Sequence, residues 1–195
     1  MSNRTAEIKR NTSETNIELK VNLDGKGQNN INTSIAFLDH MLVLFSKHSK
    51  IDLDIIASGD TQIDDHHTVE DIGICLGDAL KEALGDKKGI KRYGNFALPM
   101  DETLVETALD ISGRPYLIFN VESDEKTINK FDTNLIEDFF RALTNRLALT
   151  IHINLKYGKG AHHIFEAVFK SFAVALRDAV AVDSDDIPSS KGIID

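Results

Sequence analysis

Four of the seven histidines fall in two adjacent pairs, His66-His67 and His162-His163, and a glutamate follows each pair, Glu70 or Glu166. Imidazole nitrogens and carboxylate oxygens are the donors with which proteins hold divalent cations and move protons. On a helix, residues four apart share a face, so His66 and Glu70 can serve one ion, as can His162 and Glu166. The neighbouring histidine lies about 100° round the axis and faces elsewhere. Adjacent histidines therefore point to two cations. The spacing groups His66, Glu70 and His163 on one ion, and His162, Glu166 and His67 on the other. The two helices would meet within a chain or across a boundary between copies. With no thiolate in the set, Mn2+, Fe2+ and Zn2+ are the candidates, and open coordination positions favour catalysis over a purely structural ion. A lone histidine near a helix end is ordinarily a solvated or capping residue. That reading is kept for His48 and His152.

What lifts the pairs out of it is repetition in register. HHTVEDIGICLGDALKEAL at 66–84 returns as HHIFEAVFKSFAVALRDAV at 162–180, a gapless shift of 96. FLDHMLVLFSKHSKIDLDI at 37–55 aligns with LIEDFFRALTNRLALTIHI at 135–153, a shift of 98. The second alignment sets His40 against Asp138 and offers each ion a fourth ligand. The chain reads as one catalytic domain made of two similar halves, about 1–93 and 94–195.

The elements that must position these groups are legible in part. Residues 18–23 alternate before the turn signal Asp24-Gly25, as a hairpin strand does. Residues 35–46 have helical apolar spacing, and 51–56 alternate. Along 68–84, Val69, Ile72, Leu76, Ala79, Leu80 and Ala83 form a helical core stripe that Gly85 can stop. Strands are expected at 104–111 and 116–121, a helix over 131–147, a strand at 149–156 and a helix over 164–182. Each half is then strand, helix, strand, helix with extra hairpin strands: an α+β fold, each sheet backed by helices on one face.

Composition narrows the function classes. The 195 residues carry 31 acidic and 22 basic side chains, a net charge of −9. With no basic run, nucleic acid and anionic membranes are poor partners. The single cysteine, Cys75, excludes an intramolecular disulfide framework and reads as a core residue of low reactivity. The polar N-terminus and short apolar runs fit a soluble, cytoplasmic protein. Asp64-Asp65 reads as a charge pair at a helix N-terminus, and residues 183–186 as solvated acids. Gly89 and Gly113 mark turns and form no phosphate cradle.

The strings RNTSET (10–15), FLDHML (37–42), DDHHTVED (64–71), MDET (100–103), ISGRPYL (111–117), HHIFEAVFKSFAVALR (162–177) and SSKG (189–192) together resemble the imidazoleglycerol-phosphate dehydratase family of histidine biosynthesis. The resemblance spans nearly the whole chain. It implies a duplicated, ribosomal-protein-S5-domain-2-like α+β fold and two Mn2+ per active site, held between subunits of a homo-oligomer of twenty-four copies. Its metal ligands fall on His40, His66, His67, Glu70, His162, His163 and Glu166. Where many members have a further ligand histidine, this chain has Asp138, a shorter and negatively charged donor. The implied reaction converts D-erythro-imidazole glycerol phosphate to imidazole acetol phosphate and water. The metal would serve as Lewis acid and template.

By the same resemblance, proton transfer falls on Glu14, which without it would read as a surface glutamate. The phosphate ester needs cationic groups inside an acidic protein. Arg92, Arg114, Lys170, Ser189, Ser190 and Lys191 take that role, and Glu14, His40, His66, His67, Glu70, His162 and His163 surround the rest of the substrate. Asp65-His66-His67 also admits a DHH-type metal phosphoesterase, though the short chain and the repeated glutamates oppose it. A non-catalytic, metal-stapled shell protein is the third reading.

Overall fold

Alternation and helical spacing resolve into two four-stranded sheets with four helices between them. The computed structural model describes residues 4–194. In the first half, β1 (Thr5–Asn11), β2 (Thr15–Asn22) and β3 (Asn29–Asn32) precede α1 (Ala36–Ser49), β4 (Asp52–Gly59) and α2 (His66–Leu84). In the second, β5 (Tyr93–Met100), β6 (Thr103–Asp110) and β7 (Tyr116–Asn120) lead through the short hairpin β8 (Thr127–Ile128) and β9 (Phe131–Asp132) to α3 (Leu135–Leu147), β10 (Thr150–Tyr157) and α4 (Ala161–Val180).

The sheet orders are β1-β2-β4-β3 and β5-β6-β10-β7, the same order twice. In each sheet the first three neighbours pair antiparallel, and the last pair, β3–β4 or β7–β10, is parallel. Such sheets do not make the parallel-stranded domain that a DHH-type phosphoesterase requires.

Each half thus sets three strands of its four-stranded sheet before its first helix, where the sequence pattern shows one or two. β3 reads Asn-Asn-Ile-Asn and lies at a sheet edge, so no apolar alternation announces it. β5 holds Gly94 and Pro99, which an edge strand tolerates because one side makes no ladder. The helix expected over 131–147 begins only at Leu135. Phe131 is buried from a strand instead, and the Asp132 carboxylate accepts the Asn134 N–H at 2.9 Å to turn the chain into the helix.

One apolar core runs through both halves. Helix α2 covers β1, β2 and β4, and α4 covers β5 and β6. The remaining helices cross over: α3 packs on α2, and α1 packs on α4. The stripe Val69, Ile72 and Leu76 is fully buried, as expected. The crossed pairs bring α1 beside the second His-His-x-x-Glu cassette and α3 beside the first.

Candidate metal centre and active site

Both cassettes begin on the first turn of the helix that covers their sheet. At α4, His40 Nε2 lies 3.3 Å from Glu166 Oε1, and the His40 and His162 rings are 5.5 Å apart. Phe37 meets His162 edge-on at 5.7 Å and limits how its ring can turn. One ligand atom from each of His40, His162 and Glu166 lies within 4.8 Å of the others. At α2, His66 Nε2 is 4.0 Å from Glu70 Oε2 and 4.0 Å from Asp138 Oδ2. An ion about 2.1 Å from each donor places them roughly 3.0–4.2 Å apart. The His40–His162–Glu166 set therefore fits a divalent cation, and in the first half Glu70 and Asp138 each stand at a distance from His66 Nε2 that a shared ion allows. His40 joins the second cassette, and Asp138 the first.

The second histidine of each pair turns the other way. His67 Nδ1 lies 3.1 Å from Asp60 Oδ2 and 3.9 Å from Glu14 Oε2. His163 Nδ1 lies 3.0 Å from Glu102 Oε2 and 4.0 Å from Asp101 Oδ2. The hydrogen bond to Asp60 raises the pKa of His67, and that to Glu102 raises that of His163. Glu102 in turn is held down to about 2, chiefly by His163. Spacing alone sets His163 with His66 and Glu70. Within one chain no hydrogen bond or ion pair joins one cassette to the other among the described residues, because α2 and α4 cover different sheets.

Glu14 stands on the tight turn between β1 and β2. Thr12 Oγ1 accepts the N–H groups of Glu14 and Thr15 at 3.1 and 3.0 Å. The Thr15 hydroxyl donates to the buried Asp71 carboxylate at 2.5 Å, and Asp71 also pairs with Arg10 at 2.9 Å. Asp71 is one helical turn beyond His67, so the hairpin carrying Glu14 is fastened to the helix carrying that histidine. The Glu14 carboxylate itself is half exposed and accepts no hydrogen bond among the described residues.

The cationic candidates divide into two places. Lys170 Nζ is 3.4 Å from Glu166 Oε1 and 3.7 Å from Met100 Sδ, beside the second cassette. Arg92 lies at the other end of β5. It pairs with Asp110 at 2.6 Å and donates to the Pro188 carbonyl at 2.9 Å, drawing Ser189, Ser190 and Lys191 toward it. Arg92 has φ of 73°, a left-handed backbone held by its N–H to Ala179 O and its carbonyl to Ile111 N. Such strain persists only where surroundings over-determine it. Arg114 shares that end, its N–H donating to Ser112 Oγ at 3.1 Å. Met100, beside Lys170, is the eighth residue along the strand from Arg92, roughly 25 Å away. One chain does not bring all the cationic candidates together.

Asp64 accepts the His66 N–H at 2.9 Å just ahead of α2. His48 stands apart, its pKa lowered mainly by burial. Sequence reasoning passed over Asp60, Glu102 and Asp71. One signal was available: Glu14-Thr15 and Glu102-Thr103 are the same dipeptide at equivalent hairpins, 88 positions apart.

Residues 33–176 match the family model described as imidazoleglycerol-phosphate dehydratase. The imidazoleglycerol-phosphate dehydratase of Clostridium kluyveri (strain ATCC 8527) is 52% identical over 193 residues, covering 98% of this chain and 100% of that protein. That of Clostridioides difficile (strain 630) is 52% identical over 187 residues, covering 96% and 97%. Among solved structures, the dehydratase of Staphylococcus aureus subsp. aureus N315 superposes with a TM-score of 0.84 at 43% identity, over 92% of this chain and 99% of that one. The Pyrococcus furiosus structure in complex with (S)-C348 gives 0.83 at 38% identity, over 95% and 99%.

Proposed function

The chain belongs to the imidazoleglycerol-phosphate dehydratase family, and on that premise we propose that its duplicated cassettes form a dimetal site for dehydration of an imidazole-bearing phosphate ester. It is a hydro-lyase that takes D-erythro-imidazole glycerol phosphate to imidazole acetol phosphate and water, a step of histidine biosynthesis. The observation that carries the site is the convergence of His40, His162 and Glu166, whose ligand atoms lie within 4.8 Å of one another, with its counterpart in the first half, where His66 Nε2 stands 4.0 Å from both Glu70 and Asp138.

Two divalent ions, Mn2+ by family, would be held by these groups and by His67 and His163. When bound, such an ion on an imidazole ring nitrogen supplies Lewis acidity that loosens the adjoining C–H bond. The chain's own residues do the rest. Glu14 takes the carbon-bound proton with a carboxylate that no hydrogen bond ties down, and a proton is returned to the departing hydroxyl. General acid–base help of this kind is worth roughly 10²–10⁴-fold. Lys170, beside Glu166, and Arg92, Arg114, Ser189, Ser190 and Lys191, at the far end of the sheet, hold the phosphate.

Because those groups lie apart in one chain, the working site draws on more than one copy. His67 and His163, partly exposed and turned from their own cassettes, serve ions of neighbouring subunits. A homo-oligomer, twenty-four copies by family, follows. No helix among the described residues is long and apolar enough to cross a membrane; the cytoplasmic location is proposed from the biosynthetic family.

Replacing Glu14 with Gln separates this reading from a metal-stapled shell. The variant is expected to lose at least about 10²-fold in kcat while binding Mn2+ with unchanged stoichiometry. Full activity in a Mn2+-dependent assay with imidazole glycerol phosphate would refute the role of Glu14.

A further inference from the structure

The two halves repeat the same hairpin, the same helix start and the same histidine pair, yet they support the second histidine differently. In the first half, both oxygens of Asp60 lie 3.1–3.2 Å from His67 Nδ1, and Glu14 stands back at 3.9 Å. In the second half Glu102, the counterpart of Glu14, itself meets His163 Nδ1 at 3.0 Å. The other Glu102 oxygen accepts the Thr103 hydroxyl at 3.1 Å and the Gly160 N–H at 3.3 Å. Glu102 is thus fixed between the β5–β6 turn and the start of α4.

The reason for the difference can be read from the strand ends. Gly59 pairs opposite Thr15, and a Cβ there would stand 2.1 Å from the Thr68 hydroxyl and 3.3 Å from Thr15. Gly158 occupies the same place beside Thr103, where a Cβ would meet Oγ1 at 2.6 Å. A bulge between Leu155 and Tyr157 accounts for one extra residue on β10. The residue after Gly59 is Asp60, whereas the residue after Gly158 is Lys159. The second half therefore has a cation where the first has a carboxylate.

We propose that Asp60 and Glu102 are the positioning residues of His67 and His163, and that Asp60, by taking this task in the first half, leaves Glu14 free for proton transfer. Nδ1–H donates to the carboxylate, so Nε2 carries its lone pair outward as a ligand atom. Outer carboxylates of this kind fix ring orientation and tautomer and strengthen the ligand. Only one of two equivalent glutamates is left to do chemistry, because only one half has a second carboxylate to replace it.

The inference rests on the metal-site reading above, and the test keeps the two apart. Full-length protein stripped of metal is titrated with Mn2+, free ion being read by electron paramagnetic resonance. Asp60→Ala and Glu102→Ala are expected to weaken Mn2+ binding by about 10–100-fold with unchanged stoichiometry. The isosteric Asp60→Asn and Glu102→Gln weaken it less and guard against misfolding, while Asp60→Glu and Glu102→Asp restore it in part. Glu14→Gln keeps the wild-type affinity. Three results would overturn the assignment: undiminished affinity in both the Ala and the isosteric variants, loss of a whole ion per chain, which would make the carboxylate a ligand, or a Glu14→Gln variant as weakened as Asp60→Asn. Wild-type protein that takes up no Mn2+ would overturn the metal reading itself, and this assignment with it.

Discussion

Asp138 faces His66 across 4.0 Å, and at the equivalent place on α1 stands His40, 3.3 Å from Glu166. One group therefore offers two imidazoles and a carboxylate, the other one imidazole and two carboxylates. Oxygen donors suit Mn2+ and Mg2+, and imidazole suits Zn2+ and the later transition metals. Asp138→His should shift its site toward Zn2+ over Mn2+ by about tenfold or more, and His40→Asp should shift the other site the opposite way. Competition titration of the stripped protein with the two ions measures both. Cys75 makes a second argument at this scale. Burial pushes its thiol up to about 12, so it stays protonated and inert at neutral pH. A thiol reagent at pH 8 should find no reactive group in the native protein and one after denaturation. Because the folded thiol holds its proton more tightly than the unfolded one, its contribution to stability is whole below pH 9 and is lost as the pH rises toward 12. Thermal melts of wild type and Cys75→Ala across that range check the sign.

At the scale of the element, the first donor group depends on how closely two helices approach. Gly73 and Gly77 of α2 lie against α3. A Cβ at Gly73 would be 2.7 Å from the Phe139 carbonyl, and one at Gly77 would be 2.8 Å from that of Leu143. Phe139 adjoins Asp138, so the contact that lets α3 close on α2 also sets the distance from Asp138 to His66. Gly73→Ala would gain in helix propensity, but the clash outweighs that gain because the neighbour is backbone. Overpacking of this kind costs about 1–3 kcal/mol. Urea unfolding should report that loss, and Mn2+ titration should show one of the two ions bound more weakly while the His40–His162–Glu166 site is unaffected. The sequence stripe of α2 was read correctly as core, but its glycines gave no hint that they were the point of helix contact.

For the whole molecule, the crossed helices decide how the halves depend on each other. α1 finds its partner in α4 and α3 in α2, so each half buries a helix face only with the other present. Fragments 1–92 and 93–195 expressed separately should show little fixed structure by far-ultraviolet circular dichroism, and mixing them should restore helix signal. Stable folding of either alone would contradict an interdependent core. The opposite placement of Arg92 and Lys170 belongs to this scale too, since no rearrangement within one rigid sheet joins the two ends of β5.

The sequence alone determined the duplication, the helices that carry the cassettes and the residue types proposed to bind cations. Those properties follow from local spacing: His66 and Glu70 share a face on any helix, and a gapless shift of 96 shows the unit twice. The edge strands β3 and β5 escaped because strands with two buried residues or none leave no alternation to read. Only the tertiary structure decided that His40 joins His162 and Glu166, that Asp138 joins His66 and Glu70, and that His67 and His163 lean on Asp60 and Glu102. Each of these pairings joins segments distant in sequence, and such contacts are set by which sheet a helix covers and which helix crosses it, a choice that burial of the common core makes for all elements at once.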